Sequence, residues 1–504
     1  MLADPDSLAA LDEHGTQASW KQIKHAAERA SGALADLGMR AGEVVCWQLP
    51  TRIGSKVLMF ALARLGVIQC PLLPTYRARE VSFIVRQANA RMLIVPGTWG
   101  GFDHADMADG IAAHLEREGR DLRVLVADSD LPEADSWTEP APAAPDDVRW
   151  LYYTSGTTGE PKGARHSDAT IHAAARAMNE RFAITRDDRN AIVFPFTHIG
   201  GGAWVFSAVS IGYPTLFLER FDPPSTIPLL QQHEVTIVGS GTPFHMAYLA
   251  AQRAMPAGEV LLPSARIFVG GGAPKPPQLH YDMKREMGRD TGIVSGYGLT
   301  EAPLVVLASP SDDDVALAHT EGRAAPGVEL TVCDAEGNAV APGETGELRI
   351  RAPQLMKGYV DTALDGEAFD SAGRFRTGDL ARIDEAGMVT IAGRIKDLII
   401  RNMENISAKE VEDTLFRHPE VADAAVIGVP DPRTGERICA VIVPTPGAAP
   451  TLDALAAFCR QNGLMKQKVP ERVELVAELP RNPAGKVLKP QLREQFAGGA
   501  QPSS

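Results

Sequence analysis

The sequence predicts an α/β fold: a large N-terminal domain of parallel α/β layers with a small antiparallel β-barrel-like section, then a small α+β C-terminal domain. Three observations lead there. Over about the first 300 residues, short continuous apolar runs alternate with helical patterns, the order expected of parallel strands covered by helices. From about residue 328, short alternating strands are separated by turn signals. After residue 397, a compact segment mixes two strands with two helices.

The elements follow in order. Trp20, Ile23, Ala27, Leu34 and Leu37 recur at helical spacing, Gly38 ends the pattern, and VVCWQL at 44–49 reads as a buried strand. Strands of the same kind are predicted at 92–95, 123–127, 149–154, 191–194, 215–218, 235–238 and 266–269, with helices at 223–233 and 276–287. Their continuous apolar character fits sheets buried on both faces. Further on come ELTV, GELRIR, and a hairpin in which DEAG at 384–387 joins LARI to MVTI. Ser407 and Glu410 form a capping box for a helix through Arg417. Strands at 424–429 and 438–443 and a helix at 452–462 complete the C-terminal part, and the tail AGGAQPSS frays. The domains are 1–395 and 396–504, and the stretch 128–147 is a surface connection.

Composition narrows the function. Among 504 residues, 50 Lys and Arg against 64 Asp and Glu give a net charge of −14, which argues against a nucleic-acid partner. Hydrophobic residues at 44% and charged residues at 23% exclude a disordered chain. Any anion site must therefore be a local exception, which screening beyond about 8 Å permits. The acidic N-terminus does not read as a signal peptide. The most apolar stretch, 57–73, is broken by Arg64, Gly66, Gln69 and Pro71, too short to span a bilayer. Cys46, Cys70, Cys333, Cys439 and Cys459 lie far apart in sequence with no CxxC pair, so neither a disulfide framework nor a zinc site is expected and the cytoplasm is the expected compartment.

The strongest local signal is YYTSGTTGEPKG at 152–163. A buried strand runs into hydroxyl residues and glycines, then a Lys, then a segment read as helical. Backbone N–H groups of such a loop can face an anion, Thr154, Ser155, Thr157 and Thr158 add donors, Gly156 and Gly159 allow close approach, and Lys162 supplies charge. It is not a Walker A loop, which needs GK followed by Ser or Thr.

This loop resembles the signature of the adenylate-forming (ANL) superfamily, which includes AMP-dependent acyl-CoA synthetases such as the fatty-acid–CoA ligases. PFTHIGG at 195–201, GGGAP at 270–274, GYGLTE at 296–301, RTGDL at 376–380, GRIKD at 393–397 and PRNPAGK at 480–486 follow in that superfamily's order. The resemblance implies ATP, Mg²⁺ and coenzyme A as cofactor and co-substrates. The loop from Thr154 to Lys162 would cradle the β- and γ-phosphates, Thr300 would contact the α-phosphate, and Glu301 would hold the Mg²⁺. Tyr297 would lie against adenine opposite Gly271, Gly272, Ala273 and Pro274. Asp379 would accept from the ribose hydroxyls with Arg394 beside it, and Lys486 would bridge carboxylate and α-phosphate. His198 would gate the acyl pocket towards the thiol tunnel. Lys396 would be the hinge about which the small, mobile C-terminal domain rotates between the two steps. Family members commonly carry GGEN after it, where this chain has Asn402, Met403, Glu404 and Asn405 along the expected CoA tunnel.

The acyl pocket is expected around His198, Trp204, Gly241, Thr242, Gly296 and Leu304. The segments that carry these residues hold no Lys or Arg, which favours an apolar acid over an amino acid. The implied reaction joins a hydrophobic carboxylic acid, a medium- or long-chain fatty acid first, to AMP and then to CoA. Alicyclic, aromatic or sterol-derived acids, an acyl-AMP ligase loading a carrier protein, and an inactive nucleotide-binding paralogue are the alternatives. Peripheral membrane contact and the choice between monomer and homodimer stay open.

Overall fold

The computed structural model describes residues 4–127, 130–135, 139–142, 144–154, 160–272, 275–288, 290, 292–402, 404–482 and 485–497. The fold is mixed α/β, with parallel sheets and antiparallel strands. One nine-stranded sheet runs in the order Arg323–Ala324, Val306–Leu307, Ile293–Tyr297, Ile267–Gly271, Ile237–Val238, Asn190–Ile192, Thr215–Phe217, Leu8–Asp12, Gln17–Ser19. Its inner strands pair in parallel and antiparallel strands close both edges.

A second sheet of six strands carries Val44–Trp47, Ile68–Pro71, Met92–Val95 and Arg123–Val126 in parallel with Val148–Thr154. Its edge strand, Lys162–Ser167, is antiparallel. The largest apolar cluster lies between the two sheets, with Trp47 and Met92 from one and Ile192, Phe217 and Ile267 from the other. Helices Trp20–Asp36, Ile53–Leu65, Asp168–Arg181 and Ile199–Ile211 contribute Ile23, Leu58, Met178 and Val205 to it. Each such side chain adds about 1.5–3 kcal/mol of transfer free energy. The first helix starts at a reciprocal cap: Gln22 N–H donates to Ser19 Oγ, and Ser19 N–H donates to Gln22 Oε1 at 2.7 Å.

The strand Met92–Val95 lies where the apolar run predicts it. Ile68–Pro71, inside the most apolar stretch, is a strand that sequence reading passes over. Its Gln69 is buried and its amide nitrogen donates to the Met59 carbonyl at 3.0 Å, which ties a residue that reads as an interruption into the core. The thiols of Cys46 and Cys70, 24 positions apart in sequence, face each other in register on neighbouring strands. All five cysteines are free and buried.

A third, antiparallel sheet comprises Glu329–Cys333, Gly346–Arg351, Phe375–Ile383 and Val389–Arg394, with the turn 384–387 closed by Gly387 N–H to the Asp384 carbonyl at 2.9 Å. A fourth sheet holds Leu398–Arg401, Glu404–Ser407, Val421–Asp431, Gly435–Pro444 and Arg472–Leu475. Ser407 caps helix Ala408–Leu415, but the predicted capping box is only half made. The Glu410 carboxylate binds Lys468 Nζ at 2.7 Å instead of turning back to the cap, and the Ser407 hydroxyl also donates to the Ala392 carbonyl at 2.6 Å. Among the described residues, no helix is long and apolar enough to cross a membrane.

Candidate active site

The phosphate-binding candidate is the tip of a β-hairpin. Thr154 and Lys162 face each other in register as the strands Val148–Thr154 and Lys162–Ser167 part, and Tyr153 pairs with Gly163. This corrects the expectation of a helix directly after Lys162. The helix begins at Asp168, capped by Ser167, because KGARHS pairs as an antiparallel edge strand with Val148–Thr154. A Cβ on Gly163 would lie 2.6 Å from the Tyr153 ring, so only glycine passes beneath it. Ser155, Gly156, Thr157, Thr158 and Gly159 lie outside the described residues, as do Ala273, Pro274 and Met403. Lys162 is exposed, with Nζ 5.7 Å from the Tyr359 ring centre.

Thr300 and Glu301 form the tip of a turn closed by mutual hydrogen bonds between the backbones of Leu299 and Ala302. Gly298 is required there, since a Cβ would meet Leu304 N at 2.2 Å. His166 Nε2 donates to the Thr300 carbonyl at 2.8 Å, and its Nδ1 is 3.0 Å from Thr170 Oγ1. Burial holds this imidazole neutral, pushing it down to about 4. The hydroxyl of Tyr359 donates to Glu301 Oε1 at 2.8 Å.

Tyr297, Asp379 and Arg394 meet directly. The Tyr297 hydroxyl donates to Asp379 Oδ2 at 2.7 Å, and Arg394 Nε lies 2.9 Å from Asp379 Oδ1. Asp379 is 3% exposed, and Asp379 and Arg394 are cross-strand partners. Burial and the neighbouring carboxylate push the Tyr297 hydroxyl well up, so it stays a donor. Lys486, from the C-terminal segment, lies near enough to this group to feel the charges of Arg394 and Asp379. Burial pushes its ammonium down to about 7, helped by Arg394 and opposed by Asp379. Its backbone is fixed by Lys486 N–H to Asn482 Oδ1 at 2.9 Å, and Gly485, at φ +81°, packs against Pro243.

Gly241, Gly271 and Gly296 lie side by side. A Cβ on Gly241 would stand 3.0 Å from the Gly271 carbonyl, and one on Gly271 would stand 3.1 Å from the Gly296 carbonyl. This places the expected adenine and acyl positions against one stretch of backbone, next to Thr242 at the start of helix Thr242–Arg253. Gly272 has nothing within 4 Å of its Cβ direction. His198 caps helix Ile199–Ile211 by accepting the Gly200 N–H on Nδ1 at 3.1 Å, which leaves the proton on Nε2. Burial pushes it down to about 4. Trp204 is buried, and Gly202 is small because the Tyr152 hydroxyl fills its Cβ position. Leu304, at φ +53°, is held through its carbonyl by Gln354 Nε2 at 3.2 Å.

Lys396 sits in the short turn Ile395–Asp397 between the third and fourth sheets and is exposed. Asn402 opens a two-residue hairpin turn, since Arg401 and Glu404 pair. Its φ of +49° explains an Asn where a glycine is usual, because Asn tolerates the left-handed region best among residues with a Cβ. Glu404 is exposed.

Sequence reading missed Tyr359, His166 and Gln354. His166 falls on the same face of its strand as Lys162, an alternation visible only once the segment is known to be extended.

The arrangement can bind a nucleotide and bring a lysine to it. Buried, unpartnered polar atoms fit that use: Ser295 Oγ lies on the face of the strand that carries Tyr297, and His245 Nε2 is buried close by. The sequence matches the family described as AMP-binding enzyme over residues 2–360 and the AMP-binding enzyme C-terminal domain over 410–486. It is 31% identical to a medium-chain fatty-acid–CoA ligase of Escherichia coli, over 98% of this chain and 88% of that protein. It is 33% identical to the 3-[(3aS,4S,7aS)-7a-methyl-1,5-dioxo-octahydro-1H-inden-4-yl]propanoyl:CoA ligase of Mycobacterium tuberculosis, over 98% and 96%. The fold superposes on ATP-bound MatB from Rhodopseudomonas palustris with a TM-score of 0.89 and 28% identity, over 99% of this chain and 97% of that one. The chain belongs to the AMP-binding enzymes of the adenylate-forming superfamily and is an acid–thiol ligase of the fatty-acid–CoA ligase type.

Proposed function

We propose that the chain activates a hydrophobic carboxylic acid, a medium- or long-chain fatty acid first, as acyl-AMP and transfers the acyl group to coenzyme A. In the first step a carboxylate oxygen attacks the α-phosphorus of ATP, the bond to the bridging oxygen breaks, and pyrophosphate leaves. In the second the CoA thiol loses its proton, its sulfur attacks the acyl carbon, and AMP leaves. The observation that carries this reading is the buried Lys486 placed near enough to Asp379 and Arg394, the proposed ribose ligands, for both their charges to act on its ammonium.

Two anions must approach, so the barrier is lowered by positioning and by charge aimed at the reacting oxygens. Lys486 supplies an ammonium that bridges carboxylate and α-phosphate. Arg394 orients Asp379, whose remaining lone pairs take the ribose hydroxyls. Tyr297 walls the base, and Lys162 and Thr154 flank the loop for the outer phosphates. Glu301 and Thr300 fit Mg²⁺: a carboxylate is a hard oxygen donor, and among the described residues Glu301 Oε2 has no protein partner. When bound, Mg²⁺ neutralises charge on the triphosphate. His198, neutral with its proton on Nε2, borders the acyl pocket formed with Trp204, Gly241, Thr242, Gly296 and Leu304. We assign 1–395 and 396–504 as the two domains, with Lys396 as hinge and Asn402 and Glu404 on the path of the thiol.

A ring-bearing acid is the second reading, supported by the relative that is 33% identical and named for a fused-ring propanoyl substrate. The test is exchange of labelled pyrophosphate into ATP across a panel of fatty, alicyclic and aromatic acids, followed by thioester formation with CoA or with a carrier protein. No acid-dependent exchange would overturn the assignment. Transfer to a carrier protein but not to CoA would redirect the second step.

A further inference from the structure

The segment 354–360 links the antiparallel sheet to the phosphate hairpin. Met356 N–H donates to the Glu301 carbonyl at 2.8 Å, Lys357 N–H to Arg165 at 2.7 Å, and Val360 N–H to Gly163 at 2.7 Å; Arg165 N–H returns a bond to Gly358 at 3.0 Å. Ala164 and Tyr359 form an antiparallel bridge, so the segment extends the sheet beyond its edge strand. Gly358 is at φ +91°, and a Cβ there would lie 2.6 Å from Asp365 Oδ2 and 2.8 Å from Arg165 Nη2. The Tyr359 backbone is pinned from the same side, its N–H donating to Asp365 Oδ1 at 2.8 Å. Its ring is 4% exposed and packs with Ala164, Met356 and Phe375.

These constraints aim a single hydroxyl. Tyr359 donates to one oxygen of Glu301, and among the described residues the other oxygen has no partner. Further along the same edge strand, His166 holds the carbonyl of Thr300. One strand thus carries Lys162 at its start, over the Tyr359 ring, and through positions 164 and 166 fixes both Thr300 and Glu301.

From this we infer that Tyr359 is a positioning residue for the metal-binding carboxylate, holding Glu301 in one rotamer so that its free oxygen is presented to Mg²⁺ on the triphosphate. The inference rests on the reading of Glu301 as the metal ligand. A carboxylate held by a hydrogen bond loses less side-chain freedom when a cation binds, and removing such an outer partner costs roughly 10- to 100-fold in metal affinity.

Mn²⁺ binding to the full chain, followed by electron paramagnetic resonance with a saturating methylene-bridged ATP analogue that cannot react, tests it without turnover. Tyr359→Phe keeps the ring under Lys162 and the packing with Phe375, and should weaken Mn²⁺ about 10-fold. Glu301→Gln should weaken it at least as much, and the double variant should match Glu301→Gln alone. Wild-type Mn²⁺ affinity in Tyr359→Phe, or losses that add in the double variant, would overturn the positioning role while leaving Glu301 as the ligand. Wild-type affinity in Glu301→Gln would overturn the ligand assignment and the inference with it.

Discussion

Tyr297 donates its phenolic hydrogen to Asp379 Oδ2 at 2.7 Å, joining the last parallel strand of the nine-stranded sheet to the antiparallel sheet. Asp379 is almost wholly buried, and Arg394 holds its other oxygen. Removing the hydroxyl therefore strips a hydrogen bond from a buried charge, a loss of about 1.5–3 kcal/mol. Tyr297→Phe should raise KM for ATP about 10-fold in the exchange assay and change the acid KM little. An unchanged ATP KM in a folded variant would show that the bond does not organise the nucleotide site.

Lys486 sets a pH dependence. Its pKa is lowered to about 7, mainly by burial, so the free enzyme loses the ammonium as pH rises through that value. The bridging role needs the charged form, and kcat/KM reports groups of the free enzyme. In the adenylation half-reaction, kcat/KM should fall above about pH 7. The corresponding limb in kcat should lie at higher pH, because bound ATP and carboxylate stabilise the ammonium. Transfer of supplied acyl-AMP to CoA should lack that limb, and Lys486→Ala should abolish pyrophosphate exchange yet retain this transfer. Loss of both activities in a folded Lys486→Ala variant would contradict the role.

How far the sequence reaches depends on the range of the interaction. The strand Met92–Val95 is legible because burial on both faces leaves an unbroken apolar run. Lys162–Ser167 is not, because an edge strand bearing Lys, Arg and His looks like a polar helix start, and pairing with Val148–Thr154 decides its conformation. The phosphate loop, the turn at Thr300–Glu301 and Lys486 stand out as motifs. Tyr359 does not, since what defines it is a bridge to Ala164, almost 200 residues earlier, and a bond to Glu301. No local pattern encodes that juxtaposition.

The turn at Asn402 separates backbone need from tunnel width. At φ +49° the position favours Gly or Asn, and a β-branched side chain would cost on the order of 1–3 kcal/mol. The Asn402→Gly/Met403→Gly variant should leave acid-dependent pyrophosphate exchange unchanged and alter only thioester formation. Asn402→Val should lower the thermal midpoint and slow the CoA step more than the exchange. Equal changes in both half-reactions of the glycine variant would remove these residues from the thiol path.

Lys56 tests the electrostatics of the core far from any motif. It is fully buried, with Nζ donating to the Ala9 carbonyl at 3.0 Å and lying 4.1 Å from the Trp20 ring centre. Burial lowers its pKa from 10.5 to about 7. Between those values the unfolded chain binds a proton that the folded protein does not, so this group makes stability rise with pH across the window. Below about pH 7 its destabilising effect is complete. Lys56→Met removes the charge but leaves the Ala9 carbonyl without its donor, at a cost of about 1–3 kcal/mol. Relative to wild type, the variant should therefore be favoured most at or below pH 7 and progressively less towards pH 10. Chemical denaturation of both proteins across that range gives the difference directly. A difference independent of pH would mean that Lys56 keeps the proton affinity of an exposed lysine despite its burial.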